Sequence, residues 1–151
     1  MAVSAASAEE AHAVNSGTEV NLASDGKEYI VSPWTESFLS NGNPICAPMS
    51  TQYISQGQTI NHYASIGSGV NWLEADLNWE DTSDSLSLTI YTPSGSNLGT
   101  FYDNYDESIN GRIHINIYPS QGYIKQGSWR FKVYGESVSG TQRYTLTIYQ
   151  H

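Results

Sequence analysis

Two short stretches concentrate the side chains best suited to chemistry. Glu80-Asp81-Thr82-Ser83-Asp84 carries three carboxylates, and Asp103-Asn104-Tyr105-Asp106-Glu107 carries three more. A hard cation such as calcium takes about six to eight oxygen ligands, several of them carboxylates. No EF-hand spacing is present, so such a site requires the two stretches to meet in space. Asp81, Asp84, Asp103 and Asp106 are its candidate ligands. The plainer alternative is a pair of solvated acidic loops in an acidic protein.

Aromatic side chains form the second group, with 11 Tyr and 4 Trp in the chain. Flat amphipathic rings stack on sugars and anchor protein contacts. Strand parity places Trp72, Tyr91, Tyr118, Tyr134 and Tyr149 on outward faces. Of these, Trp72, Tyr91, Tyr118 and Tyr134 are the candidate ligand-binding residues. Tyrosine also suits strands for its own sake, and antiparallel neighbours send strand-end tyrosines to opposite rims.

Signals for catalysis are weak. There is no Gly-x-Ser-x-Gly, no His-Glu-x-x-His and no phosphate-cradling Gly-x-x-x-x-Gly-Lys. His12, His62, His114 and His151 are scattered, and His114 reads as a surface histidine on an outward strand face. Cys46 is the single cysteine, so neither an internal disulfide nor a four-cysteine zinc site can form. The sequence is read as that of a protein without enzymatic activity.

The elements that must position these groups follow from composition and pattern. The 151 residues suit one domain with a real core. Only 14% are charged, against about 25% in ordinary globular chains, so the surface is built from Ser, Thr, Asn, Gln, Gly and Tyr. Six Lys+Arg against 15 Asp+Glu give a net charge of −9. That argues against nucleic acid or anionic lipid as partner and leaves cations, sugars and proteins. No apolar stretch approaches the roughly 18 residues that span a bilayer.

From Thr51 onward hydrophobic residues recur with period two, the signature of half-buried strands. Leu73, Ala75, Leu77 and Trp79 alternate with Glu74, Asp76 and Asn78. Leu86, Leu88 and Ile90 alternate with Ser87 and Thr89, and Ile113, Ile115 and Ile117 with His114 and Asn116. Trp129, Phe131 and Val133 alternate with Arg130 and Lys132, and Tyr144, Leu146 and Ile148 with Thr145 and Thr147. Further strands are expected at Gln52–Ile54, Thr59–Ala64 and Asn97–Tyr102, and short ones at Glu19–Leu22 and Glu28–Val31. A single open sheet of such strands would expose an apolar face, so the expected fold is all-β: a two-sheet antiparallel β-sandwich of jelly-roll type. Asn110-Gly111 is the strongest tight-hairpin signal, because both central residues of that turn need positive φ.

Residues 1–18 read as a disordered leader or the remnant of a secretory signal, small-residue-rich with Ala-x-Ala pairs. Residues 19–50 read as an irregular segment, anchored by Trp34 and Phe38, that packs on the sandwich of residues 51–151. Residues 19–151 are expected to form one structural unit.

The run Leu73-Glu74-Ala75-Asp76-Leu77-Asn78-Trp79, followed by Asp84-Ser85-Leu86-Ser87-Leu88-Thr89-Ile90-Tyr91-Thr92-Pro93-Ser94-Gly95, resembles the bacterial and archaeal pre-peptidase C-terminal domain family. Gly127-Ser128-Trp129-Arg130-Phe131-Lys132-Val133-Tyr134-Gly135 and Gly140-Thr141-Gln142-Arg143-Tyr144-Thr145-Leu146-Thr147-Ile148 resemble that family's closing strand pair. The resemblance spans about residues 51–149. It implies a noncatalytic jelly-roll module that accompanies extracellular peptidases, binds protein or polysaccharide and, in some relatives, takes calcium. Ser85-Leu86-Ser87-Leu88 stands where many members have Asp-Leu-Asp-Leu, so a carboxylate of that strand is missing here.

The expected protein is a secreted or cell-surface accessory module whose partner is an extracellular protein or polysaccharide, with calcium as candidate cofactor. A carbohydrate-binding module or a cell-surface adhesion component is the alternative.

Overall fold

The computed structural model describes residues 19–23, 26–35, 45–46 and 51–151. The expected leader, the Phe38 anchor and the side chain of Cys46 lie outside the described residues.

Eleven strands are described: β1 (Glu19–Leu22), β2 (Glu28–Pro33), β3 (Ile45–Cys46), β4 (Gln52–Ser55), β5 (Thr59–Ile66), β6 (Leu73–Asn78), β7 (Ser85–Tyr91), β8 (Asn97–Tyr102), β9 (Arg112–Pro119), β10 (Gly127–Ser137) and β11 (Thr141–Gln150). They form two antiparallel sheets. The larger runs β1-β2-β9-β6-β11-β3, with β4 also paired to β11, and the smaller runs β5-β10-β7-β8. From β4 onward the chain changes sheet at every connection except that between β7 and β8, which is the jelly-roll manner of covering two apolar faces with one core.

The alternating residues meet between the sheets as expected. Leu77, Leu86, Leu88, Ile115, Trp129, Phe131 and Leu146 are fully buried, with Trp79 and Tyr144 nearly so. Burying each such side chain stabilises the fold by about 1.5–3 kcal/mol relative to leaving it exposed. Aromatic contacts tie one sheet to the other. The ring of Tyr29 on β2 meets Trp129 on β10 edge-on at 5.4 Å, and the Trp129 indole N–H donates to the Lys125 carbonyl at 2.8 Å. Near one end of the sandwich His62 on β5 shares a 2.8 Å hydrogen bond with the Tyr144 hydroxyl on β11.

Asn110-Gly111 does not close a hairpin. The strand before it, β8, lies in the smaller sheet, and β9 lies in the larger. Between them runs a 3-10 turn, Asp103–Asp106, whose Tyr105 hydroxyl donates to the Val31 carbonyl at 3.1 Å. Gly111 does have φ +74, but the requirement is close approach: a Cβ there would sit 2.6 Å from the Glu80 carbonyl carbon. Its carbonyl accepts the N–H groups of both Trp79 and Glu80. Glycine at 111 therefore lets the loop after β6 nest against the start of β9. The two-residue strand β3, on Tyr149 and Gln150 of β11, has no period-two signal and was not expected.

Candidate functional site

Strand β10 places Trp129, Phe131 and Val133 in the core and turns Arg130, Lys132, Tyr134 and Glu136 outward. Its neighbours in the smaller sheet are in register, so outward side chains form rows across the strands. One row reads Tyr63, Arg130, Tyr91; the next reads Asn61, Lys132, Thr89, Thr100; the third reads Thr59, Tyr134, Ser87, Tyr102. The second and third rows border a shallow hollow of about 260 Å³.

The floor of the hollow is preorganised. Thr89 and Thr100, directly opposite each other, share a 2.7 Å hydrogen bond between hydroxyls. The Ser87 hydroxyl donates to Glu136 Oε2 at 2.8 Å. In the first row, the Arg130 guanidinium lies over the Tyr91 ring with Cζ 3.8 Å from the centroid, and Lys132 Nζ lies 5.9 Å from the same centroid. Tyr63, at 68% exposure, stands beside Arg130 in the first row. Phenol rings and two cations on one open face supply stacking surface and positive charge, over a floor whose Ser87 and Thr89 are themselves buried.

The outward aromatics do not make a single platform. Tyr91 and Tyr134 stand on this face, whereas Trp72 and Tyr118 stand on the opposite side of the sandwich, 5.5 Å apart between ring centroids. Nor is Trp72 open to ligand: it is 9% exposed, because the His151 imidazole stacks flat on it at 3.6 Å. The Tyr118 hydroxyl is pushed up to about 12, chiefly by burial, with Asn116 acting the other way.

That opposite face is a packed polar cluster. Glu74 Oε2 meets His114 Nε2 at 2.5 Å, and Glu74 Oε1 meets His151 Nε2 at 3.0 Å. The Trp34 indole stacks on His114 at 4.5 Å. His114 was expected at the surface, yet its side chain is only 9% exposed. Parity does point it away from the core, but indoles and imidazoles stack over this face and close it. Beside the cluster Asp76 takes both Arg112 Nε and Nη2, at 2.8 and 2.7 Å, and this bidentate contact favours the charged guanidinium.

The four candidate calcium ligands are set to other tasks. Asp81 Oδ1 accepts the N–H and hydroxyl of Ser83 at 2.9 and 2.6 Å, which holds its carboxyl below the usual range. Asp84 is buried and accepts the Ser139 N–H at 3.1 Å. Asp103, also buried, accepts the N–H groups of Asn110, Gly111 and Arg112. Asp106 accepts the Ser108 N–H at 3.0 Å. Among the described residues no group of three or more His, Cys, Asp or Glu side chains is arranged to hold a metal ion. The two loops do meet, through Gly111 and Glu80, and in this arrangement their carboxylates accept backbone amides.

Thr89, Thr100, Arg130 and Lys132 were not among the candidate binding residues. Alternation already turned Arg130, Lys132 and Thr89 outward; the missing information was which strands lie side by side.

No protein-family model matches this chain, and no curated protein does. Solved structures share its fold. The Clostridium perfringens CspB protease superposes with a TM-score of 0.51 at 16% identity, over 68% of this chain and 24% of the protease. This chain thus corresponds to about a quarter of that enzyme's length. The Yersinia pseudotuberculosis-derived mitogen superposes with a TM-score of 0.50 at 18% identity, over 72% of this chain and 88% of the mitogen. At these identities the likeness is one of fold, the β-sandwich. Among the described residues no helix is long and apolar enough to cross a membrane, which says nothing of strands.

Proposed function

We propose that this protein is a noncatalytic binding module that acts outside the cell, with the outward face of the smaller sheet as its site and a polysaccharide as its ligand. The observation that carries this reading is the arrangement of Tyr134, Tyr102, Lys132 and the Thr89–Thr100 hydroxyl pair about one open hollow, with Tyr91 and Arg130 in the neighbouring row. Sugars present alternating apolar ring faces and hydroxyl edges. Tyrosine rings suit the first, and hydroxyls and ammonium groups suit the second. Glu136, the carboxylate at the hollow, is engaged by Ser87, which favours a positioning role over proton transfer.

The low charge of the chain and its resemblance to pre-peptidase C-terminal domains support an extracellular setting beside a hydrolase. The fold shared with part of a Clostridium perfringens protease accords with an accessory module attached to such an enzyme.

Electrophoresis through gels containing single neutral or acidic polysaccharides tests the reading. The parent is expected to be retarded by at least one of them. Tyr134→Ala should abolish most of the retardation, and Thr147→Ala, on the opposite face, should leave it unchanged. Retardation by none, or equal retardation of parent and Tyr134→Ala, would contradict it.

A further inference from the structure

The chain has six Lys and Arg residues against 15 Asp and Glu, so where its cations stand is informative. Arg112 is held by Asp76, and Lys27 Nζ donates to the Gln121 carbonyl at 3.1 Å. Lys125 and Arg143 also make no ion pair among the described residues; Arg130 and Lys132 are set apart by standing together. They are two positions apart on β10, both point outward, and both lie over the ring of Tyr91. Among the described residues neither makes an ion pair, although acids outnumber bases by more than two to one. The carboxylate of their own face belongs to Glu136, four residues beyond Lys132 on β10; it borders the same hollow as Lys132 and is engaged by the Ser87 hydroxyl rather than by either cation.

Two like charges side by side on a surface repel unless an anion comes between them. Stacking on Tyr91 fixes the guanidinium plane while leaving its N–H edges available for a planar acidic group. We infer that the glycan bound by this face is anionic, with a carboxylate or sulfate of the sugar seated between Arg130 and Lys132 and its ring against the tyrosines. This rests on the reading of the face as a glycan site. The overall charge of −9 opposes a polyanion at long range, but that field is screened beyond about 8 Å at physiological salt, so the local cation pair governs contact.

Affinity electrophoresis and calorimetry at physiological salt test the inference with five probes. Polygalacturonate and dextran sulfate are the acidic glycans, carboxyl-reduced polygalacturonate and plain dextran their neutral counterparts, and polyglutamate the acidic peptide. Binding is expected for an acidic glycan over its neutral counterpart and over polyglutamate. Arg130→Met and Lys132→Met, which keep the aliphatic stem, should each weaken it about tenfold with melting temperatures unchanged. Equal binding of an acidic glycan and its neutral form, lost in Tyr134→Ala, would overturn the charge inference and leave the glycan face standing. Equal binding of polyglutamate would replace the glycan by an acidic peptide and overturn it as well. Affinity unaltered in both Met variants would remove the cation pair as the seat. Binding to none of the five would overturn the inference, while retardation by some other polysaccharide, lost in Tyr134→Ala, would keep the underlying reading.

Discussion

Asp103 receives the backbone N–H of Gly111 at 2.9 Å in the interior, and the same carboxylate takes the N–H groups of Asn110 and Arg112 at 3.1 and 3.3 Å. One side chain thereby organises the whole entry to β9. Removing it in Asp103→Ala takes the acceptor from one buried and two part-buried amides, at a cost of about 3 kcal/mol. Urea unfolding should show that loss. Since Asp84 is likewise committed to a backbone amide, the melting temperature of the parent should be the same in chelator and in millimolar calcium. A calcium-specific rise would return both loops to the list of ligands.

Tyr91 supports the cation pair from below, with Arg130 Cζ 3.8 Å from its ring centroid. Tyr91→Leu retains apolar bulk but removes the π-face that orients the guanidinium, an interaction of about 0.5–2 kcal/mol. Affinity for the glycan should fall severalfold, up to about thirtyfold, with little change in stability. A loss of stability without loss of affinity would show Tyr91 to be a packing residue only.

His62 gives the fold a pH dependence whose sign is set by burial. Its imidazole is half-buried against the Tyr144 hydroxyl, and desolvation lowers its pKa from the ordinary 6.5. The unfolded chain therefore binds the proton more readily than the folded one. The stabilisation is complete above about pH 6.5 and is lost as pH falls through that value toward the lowered native one. Melts of parent and His62→Gln between about pH 7.5 and 5.5 should converge as pH falls, because the parent alone carries this loss. A constant gap across that range would contradict the assignment.

Glu74 holds two imidazoles at once, His114 and His151, in the packed cluster outside the larger sheet. Glu74→Ala strips the acceptor from both and should cost about 2–4 kcal/mol while leaving glycan retardation intact, since the cluster lies across the sandwich from the hollow. Retardation lost together with Glu74, in a variant still folded, would move the site to the other face.

Much of the fold was legible because alternation fixes which side chains enter the core. Trp129, Phe131 and Leu146 were assigned inward by parity and are fully buried. Parity is silent on what covers the other side. His114 and Asn116 point outward, yet Asn116 is fully buried and His114 nearly so, because Trp34, just after β2, and Trp72, just before β6, bring rings over that face. Turn chemistry misled at Asn110-Gly111 for a related reason. Positive φ is compatible with a hairpin, but here it serves a close approach to Glu80, a contact distant in sequence. The candidate site was half legible. Tyr91 and Tyr134 were named, but joining them to Lys132, Thr89 and Thr100 required the strand order β10-β7-β8, which local pattern does not encode.

The proposed function places ligand on the outward face of the smaller sheet. Titrating isotope-labelled protein with an oligogalacturonate and following backbone amide shifts tests it most directly. Perturbations should concentrate on β7, β8 and β10, around Tyr91, Lys132 and Tyr134, with β6, β9 and the Asp81 and Asp106 loops silent. Shifts confined to Glu74, Tyr118 and Thr147, or to the acidic loops, would contradict it.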